Sequence, residues 1–107
     1  MLTPELKQFV EEQYKRLKKY FDIDDLQTII LSGTVKLSEE MGELCTQILS
    51  FHKLNRKEKA NNHNKKKLEE EFADVLITTL ILAHAMDADI EKGLQKKIDV
   101  VIKRFST

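Results

Sequence analysis

The sequence holds one cysteine, one proline and three glycines, and its charges cancel, with eighteen Lys and Arg against eighteen Asp and Glu. Cys45 has no second thiol to pair with, which excludes an internal disulfide and suits a reducing, cytoplasmic compartment. No His lies one helical turn from it, so it is not read as a nucleophile. With so little Gly and Pro, turn material for a sheet protein is scarce, whereas abundant Leu, Ile, Lys, Glu and Gln favour helices. The lack of net charge removes the broad basic surface of nucleic-acid-binding proteins, so no nucleic-acid polymer is expected as a partner. Long apolar runs are missing too. The longest, VLITTLILAHAM from Val75 to Met86, falls short of the roughly 20 residues that span a bilayer. MLTPELKQ lacks the apolar run of a secretory leader, so neither a membrane nor export is expected. At 107 residues the chain has room for one domain, residues 1–107, with a single modest core.

What is present is helical periodicity. Thr3-Pro4 reads as a helix start, and Leu6, Phe9, Val10, Tyr14 and Leu17 mark one face of a first helix to about Tyr20. FDIDD interrupts it. Asp22, Asp24 and Asp25 do not make an EF-hand, because the positions that need Gly and Glu hold Gln27 and Gly33; capping of the next helix by Asp24 or Asp25 is the expected role. A second helix runs from Leu26 to about Lys53, with Gly33 a place where it can kink. NRKEKANNHNKKK reads as a polar loop or frayed helix, with Lys65 to Lys67 a solvated face. A third helix spans about Lys66 to Met86, Asp87-Ala-Asp89 supplies a turn and an N-cap, and a fourth spans about Ile90 to Phe105. The expected fold is therefore all-α and four-helix bundle-like. From Val75 to His84 the third helix is apolar nearly all round, which a monomer of this size can hardly cover, so self-association as a homodimer or homotetramer is expected.

Within this pattern KLSEEMGEL, Lys36 to Leu44, sets acids where the buried stripe should run. Residues three and four apart share a helix face, so Glu40 stands in a row with Leu37, Leu44 and Ile48, with Glu43 one turn on. Glu39 lies about 100° around from Glu40 and about 40° from Glu43, flanking the pair. The third helix repeats the arrangement in EEEFADVL: Glu71 and Asp74 are three apart, and Glu71 shares a row with Leu68, Val75 and Leu82. If the two helices pack antiparallel, four carboxylates converge. Each ion removed from water is penalised by several kcal/mol, so something cationic must answer them. Oxygen ligands without paired His or Cys point to Mg²⁺, with Mn²⁺ as a substitute. No His stands three residues after a Glu, which removes the Glu-x-x-His pairs of di-iron bundles. His84 is expected in the core or an interface, His52 and His63 in solvent, and Phe9, Tyr14, Phe51 and Phe72 in the core.

KLSEEMGEL followed by LEEEFADVL resembles the EExxE and ExxD signature of the MazG-like all-α nucleoside triphosphate pyrophosphohydrolases, with 28 positions (71 − 43) between Glu43 and Glu71. DADIEKGLQKKIDVVIKRF resembles the closing helix of that family, so the likeness covers most of Leu26 to Phe105. It implies hydrolysis of a nucleoside triphosphate to the monophosphate and pyrophosphate. By the same resemblance Glu40, Glu43, Glu71 and Asp74 are metal ligands, Glu39 orients or deprotonates the attacking water, and Lys36, Lys97 and Arg104 bind phosphate. Val101 departs from the pattern, since many relatives carry Asn there, and this bears on nucleotide contact by the closing helix. Two other readings remain open: a phosphoribosyl-nucleotide pyrophosphatase of similar fold, and a non-enzymatic helical dimerisation module. Acids at all four ligand positions weigh against the module, because packing alone favours apolar residues there.

Overall fold

The computed structural model describes residues 1–20, 25–51 and 62–106. The Thr3 hydroxyl accepts the Leu6 N–H at 3.1 Å, and the Thr3 carbonyl accepts the Lys7 N–H at 3.0 Å. Helix α1 (Pro4–Tyr20) thus starts with the Leu6 donor capped and with proline in the first turn, where a missing N–H costs nothing. Asp25 begins α2 (Leu26–Phe51): its carboxylate accepts from the Gln27 N–H at 3.1 Å and the Thr28 hydroxyl at 2.7 Å. The Thr28 contact, more than any other, holds the Asp25 carboxyl below its ordinary pKa. Asp22 and Asp24, like His52, lie outside the described residues.

Gly33 does not interrupt α2. A Cβ there would meet Leu82 Cδ1 at 2.9 Å, so the glycine lets α2 approach α3 closely. Helix α3 (Asn62–Ala85) begins four residues earlier than the sequence pattern suggested. Lys65 to Lys67 are good helix formers, and Lys67 also pairs with Glu71 one turn on, which supports the first turns. The helix ends in a Schellman arrangement: the Ala88 N–H reaches the Ala83 carbonyl at 2.9 Å and the Asp87 N–H the His84 carbonyl at 3.1 Å. Asp87 takes the left-handed position usually given to glycine, with φ 55°. Asp89 then caps α4 (Ile90–Arg104), its side chain accepting the Lys92 N–H at 3.0 Å.

Gly33 faces Leu82, while Glu40 and Glu43 face Glu71 nearer the start of α3, so α2 and α3 run antiparallel. Helix α1 packs on α3. Val10 of α1, Ile29 of α2 and Ala85 of α3 are buried. Among the described residues this is the whole buried apolar core, smaller than the sequence suggested. Phe9 and Phe72, expected inside, are 41% and 48% exposed, because no element among the described residues covers their faces fully. His84 is exposed as well, its ring centroid 5.0 Å from that of Tyr14 in an edge-to-face pair.

Helix α4 stands largely apart. Glu91 ties it to the start of the chain, accepting from Lys7 Nζ at 2.6 Å and the Leu2 N–H at 3.3 Å. Its apolar residues Leu94, Ile98, Val101, Ile102 and Phe105 are all exposed. The radius of gyration, 17.1 Å, exceeds the about 13 Å of a compact chain this long. The four helices are the only regular elements among the described residues, and none of them is long and apolar enough to cross a membrane.

Candidate metal centre

The antiparallel pair α2 and α3 sets the register of the acids. Glu40 projects from the α2 row that carries Leu37 and Leu44, and Glu71 from the α3 row that carries Leu68 and Val75, so both enter the helix interface and are buried. Glu43, one turn beyond Glu40, is exposed at the rim. One carboxylate oxygen from each of Glu40, Glu43 and Glu71 lies within 4.8 Å of the other two.

Two lysines answer part of this charge. Lys36 Nζ lies 3.0 Å from Glu40 Oε1 and Lys67 Nζ lies 3.1 Å from Glu71 Oε1, each four residues before its acid. The contacts raise the pKa of both lysines, chiefly through the hydrogen bond each donates to its glutamate. Glu43 is pushed the other way for an acid: the Glu40 charge, then burial, then Glu71 raise its pKa against the opposing pull of Lys36 and Lys67. The second oxygens, Glu40 Oε2 and Glu71 Oε2, are buried and accept no hydrogen bond. A buried carboxylate oxygen left unmatched is costly, and two of them beside a third acid make a site deficient in positive charge. Three converging carboxylates with no nitrogen or sulfur donor fit a hard divalent cation.

The remaining acids stand outside this triple. Asp74, three residues after Glu71, is exposed and contributes no oxygen to the cluster. Glu39 is exposed on α2, close enough for its charge to act on Lys36. Lys97 is exposed on α4 and borders a largely apolar groove of about 690 Å³ together with Ala73, Leu76 and Leu94. Arg104, in the last turn of α4, is exposed, and neither it nor Lys97 forms an ion pair with the carboxylates. Lys67, read from sequence as part of a solvated face, is in the site. The signal was available, since Lys67 to Glu71 repeats the four-residue spacing of Lys36 to Glu40.

A helical hairpin that buries acids from both arms makes an all-α acidic cluster whose donors fit a cation. The chain belongs to the MazG-like family, whose model matches residues 31–106 and so takes in all of α2, α3 and α4 apart from the start of α2. It is similar to the uncharacterized protein YpjD of Bacillus subtilis (strain 168), with 32% identity over 77 residues, 72% of this chain and 64% of that protein. The chain thus spans less than two thirds of that relative's length. No solved structure matches it.

Proposed function

We propose that this chain is a nucleoside triphosphate pyrophosphohydrolase that works with Mg²⁺, or with Mn²⁺ in its place, and converts a ribo- or deoxynucleoside triphosphate to the monophosphate and pyrophosphate. The observation that carries the reading is the pair of buried carboxylate oxygens, Glu40 Oε2 and Glu71 Oε2, without hydrogen bonds in a cluster completed by Glu43. Apolar side chains would serve a purely structural hairpin better at both positions. Membership of the MazG-like family supports the same direction.

In this reading Glu40, Glu43 and Glu71 hold the divalent cation, with Asp74 joining from the next turn of α3. When bound, the cation supplies neutralisation of phosphate charge in a pocket that would otherwise repel a polyanion. Lys36 contacts the phosphates from the start of the α2 acid block, and Lys97 and Arg104 do so from α4. Glu39 orients the attacking water and accepts its proton as the water oxygen bonds to the α-phosphorus. The bond from the α-phosphorus to the bridging oxygen then breaks, and pyrophosphate leaves. Self-association as a homodimer or homotetramer covers the apolar residues of α3 and α4.

A screen of all ribo- and deoxynucleoside triphosphates with Mg²⁺, with products separated by chromatography, tests the proposal. Monophosphate and pyrophosphate in equal amounts are expected from at least one of them. Orthophosphate as the first product, or no turnover of any nucleotide, would contradict it.

A further inference from the structure

Lys67 belongs to neither acid block nor to the closing helix, yet its place matches that of Lys36. Each lies one turn before a buried glutamate and touches only its Oε1, at 3.0 Å for Lys36 and 3.1 Å for Lys67. In each pair the acid is inside and the lysine outside: the side chains of Glu40 and Glu71 are 9% and 4% exposed, those of Lys36 and Lys67 61% and 50%. The ammonium groups therefore reach in from the rim on flexible stems. They cover one oxygen of each carboxylate and leave the other buried and unmatched.

The three carboxylates of the cluster and the two ammonium groups sum to −1, Glu39 and Glu70 add negative charge beside the lysines, and a divalent cation makes the whole less negative by two. An anion that the metal-free cluster repels is then repelled less. The same cation would compete with the lysines for the Glu40 and Glu71 carboxylates and repel the ammonium groups by like charge. A freed lysine at the rim meets whatever anion arrives. Because α2 and α3 are antiparallel, the two lysines lie displaced from their acids in opposite directions along the hairpin and bracket the cluster. A chain of linked phosphates offers an anionic oxygen to each lysine while another of its phosphates stays at the cation.

We propose that Lys67 is a polyphosphate-binding arm: it is the counter-ion of Glu71 while the acidic cluster is free of metal, and it contacts the phosphate chain of the substrate once a divalent cation is bound. The inference rests on the function proposed above and extends it, since it sets an order of binding, metal before nucleotide, and selects for linked phosphates.

Calorimetric titration of the full chain tests this with inorganic tripolyphosphate as the probe, in Mg²⁺ held in excess over the probe, alongside titration with Mn²⁺ alone. Lys67→Met should weaken tripolyphosphate binding by about 10-fold or more, the loss of one charge-assisted contact. Its Mn²⁺ affinity should be unchanged or higher, because a competing cation has gone. Lys67→Arg, which keeps the charge, should bind tripolyphosphate within about threefold of the wild type, and orthophosphate should bind all three proteins far more weakly. Tripolyphosphate affinity in Lys67→Met within twofold of wild type, with Mn²⁺ binding intact, would overturn the assignment and leave Lys67 a partner of Glu71 only. A parallel loss of Mn²⁺ and tripolyphosphate binding in Lys67→Met, with recovery of neither in Lys67→Arg, would overturn it in favour of a structural role. Failure of the wild-type chain to bind Mn²⁺ at all would instead remove the metal site, and this inference with it.

Discussion

Glu40 and Glu71 reach across the antiparallel hairpin to bring carboxylate oxygens within 4.8 Å of one another, each with its Oε2 buried and unbonded. Two like charges in a partly dry interface repel, and the one exposed lysine beside each offsets only part of the cost. The hairpin is consequently less stable than the same backbone with apolar side chains at these two positions. Proteins keep such arrangements where function needs them.

Replacing Glu71 by Leu should therefore stabilise the metal-free protein. Lys67 would be left half-exposed and hydrated, so no buried charge is stranded. Substituting buried ionic groups by apolar ones is often neutral to stabilising by about 1–4 kcal/mol, and about 1 kcal/mol corresponds to roughly 4–8 °C in a domain of this size. Melting curves in EDTA and in millimolar Mg²⁺ or Mn²⁺ read both halves of the expectation. The wild type should melt higher with metal, by about 2.7 kcal/mol at 100 times the dissociation constant. Glu71→Leu should melt higher than wild type in EDTA and gain nothing from metal. A wild-type midpoint indifferent to both ions would contradict the site.

Glu43→Gln and Asp74→Asn separate catalysis from folding, because both side chains are exposed and their neutral analogues leave no buried gap. Helicity should be kept in each. Pyrophosphate release should fall by more than about 100-fold, since even the outer partners of a metal ligand cost about 10–100-fold when removed. Turnover retained in the Asp74→Asn protein would exclude that carboxylate from the mechanism and confine metal binding to Glu40, Glu43 and Glu71.

The number and order of the helices were legible because the punctuation is chemical: Thr3-Pro4 and Asp89 sit at helix starts in the sequence and cap them in the structure. The inward placement of Glu40 and Glu71 was legible for the same kind of reason, since both share rows with leucines. Burial along each helix was harder to read. Periodicity assigns Phe9, Phe72 and the apolar residues of α4 to a buried face without saying whose surface covers it, and among the described residues nothing covers it fully. The part of Lys67 was hidden by composition. Among so many surface lysines only its spacing to Glu71 distinguished it, and that spacing acquires meaning only once Glu71 is known to be buried.

The link between Glu91 and the start of the chain sets a pH dependence. The hydrogen bond from Lys7, and next that from the Leu2 N–H, hold the Glu91 carboxyl below its ordinary value of 4.5. A depressed acid stabilises the fold when ionised, so its contribution is fully present above about pH 5 and is lost as pH falls through the depressed value. Wild type and Glu91→Gln should differ in melting temperature at pH 6 to 7, with wild type the higher. The gap should close on acidification towards about pH 3. A constant gap over that range would show that Glu91 acts by packing and not by charge.

Helix α4 carries the clearest expectation for assembly. Ile98, Ile102 and Phe105 are 41%, 61% and 79% exposed on one side of a helix whose other residues are mostly charged. Leu76 of α3 is 63% exposed as well, and exposed apolar faces of this kind mark interaction surfaces. Ile102→Glu costs the monomer little, because the side chain is already largely in water, but it sets a charge into any interface formed by this face. Sedimentation velocity at micromolar concentration should show the wild type as a homodimer or homotetramer, and Ile102→Glu shifted towards monomer with unchanged helicity. If α4 instead folds onto its own chain in solution, the wild type sediments as a monomer, the substitution leaves its sedimentation coefficient unchanged, and the proposed assembly through this face is wrong.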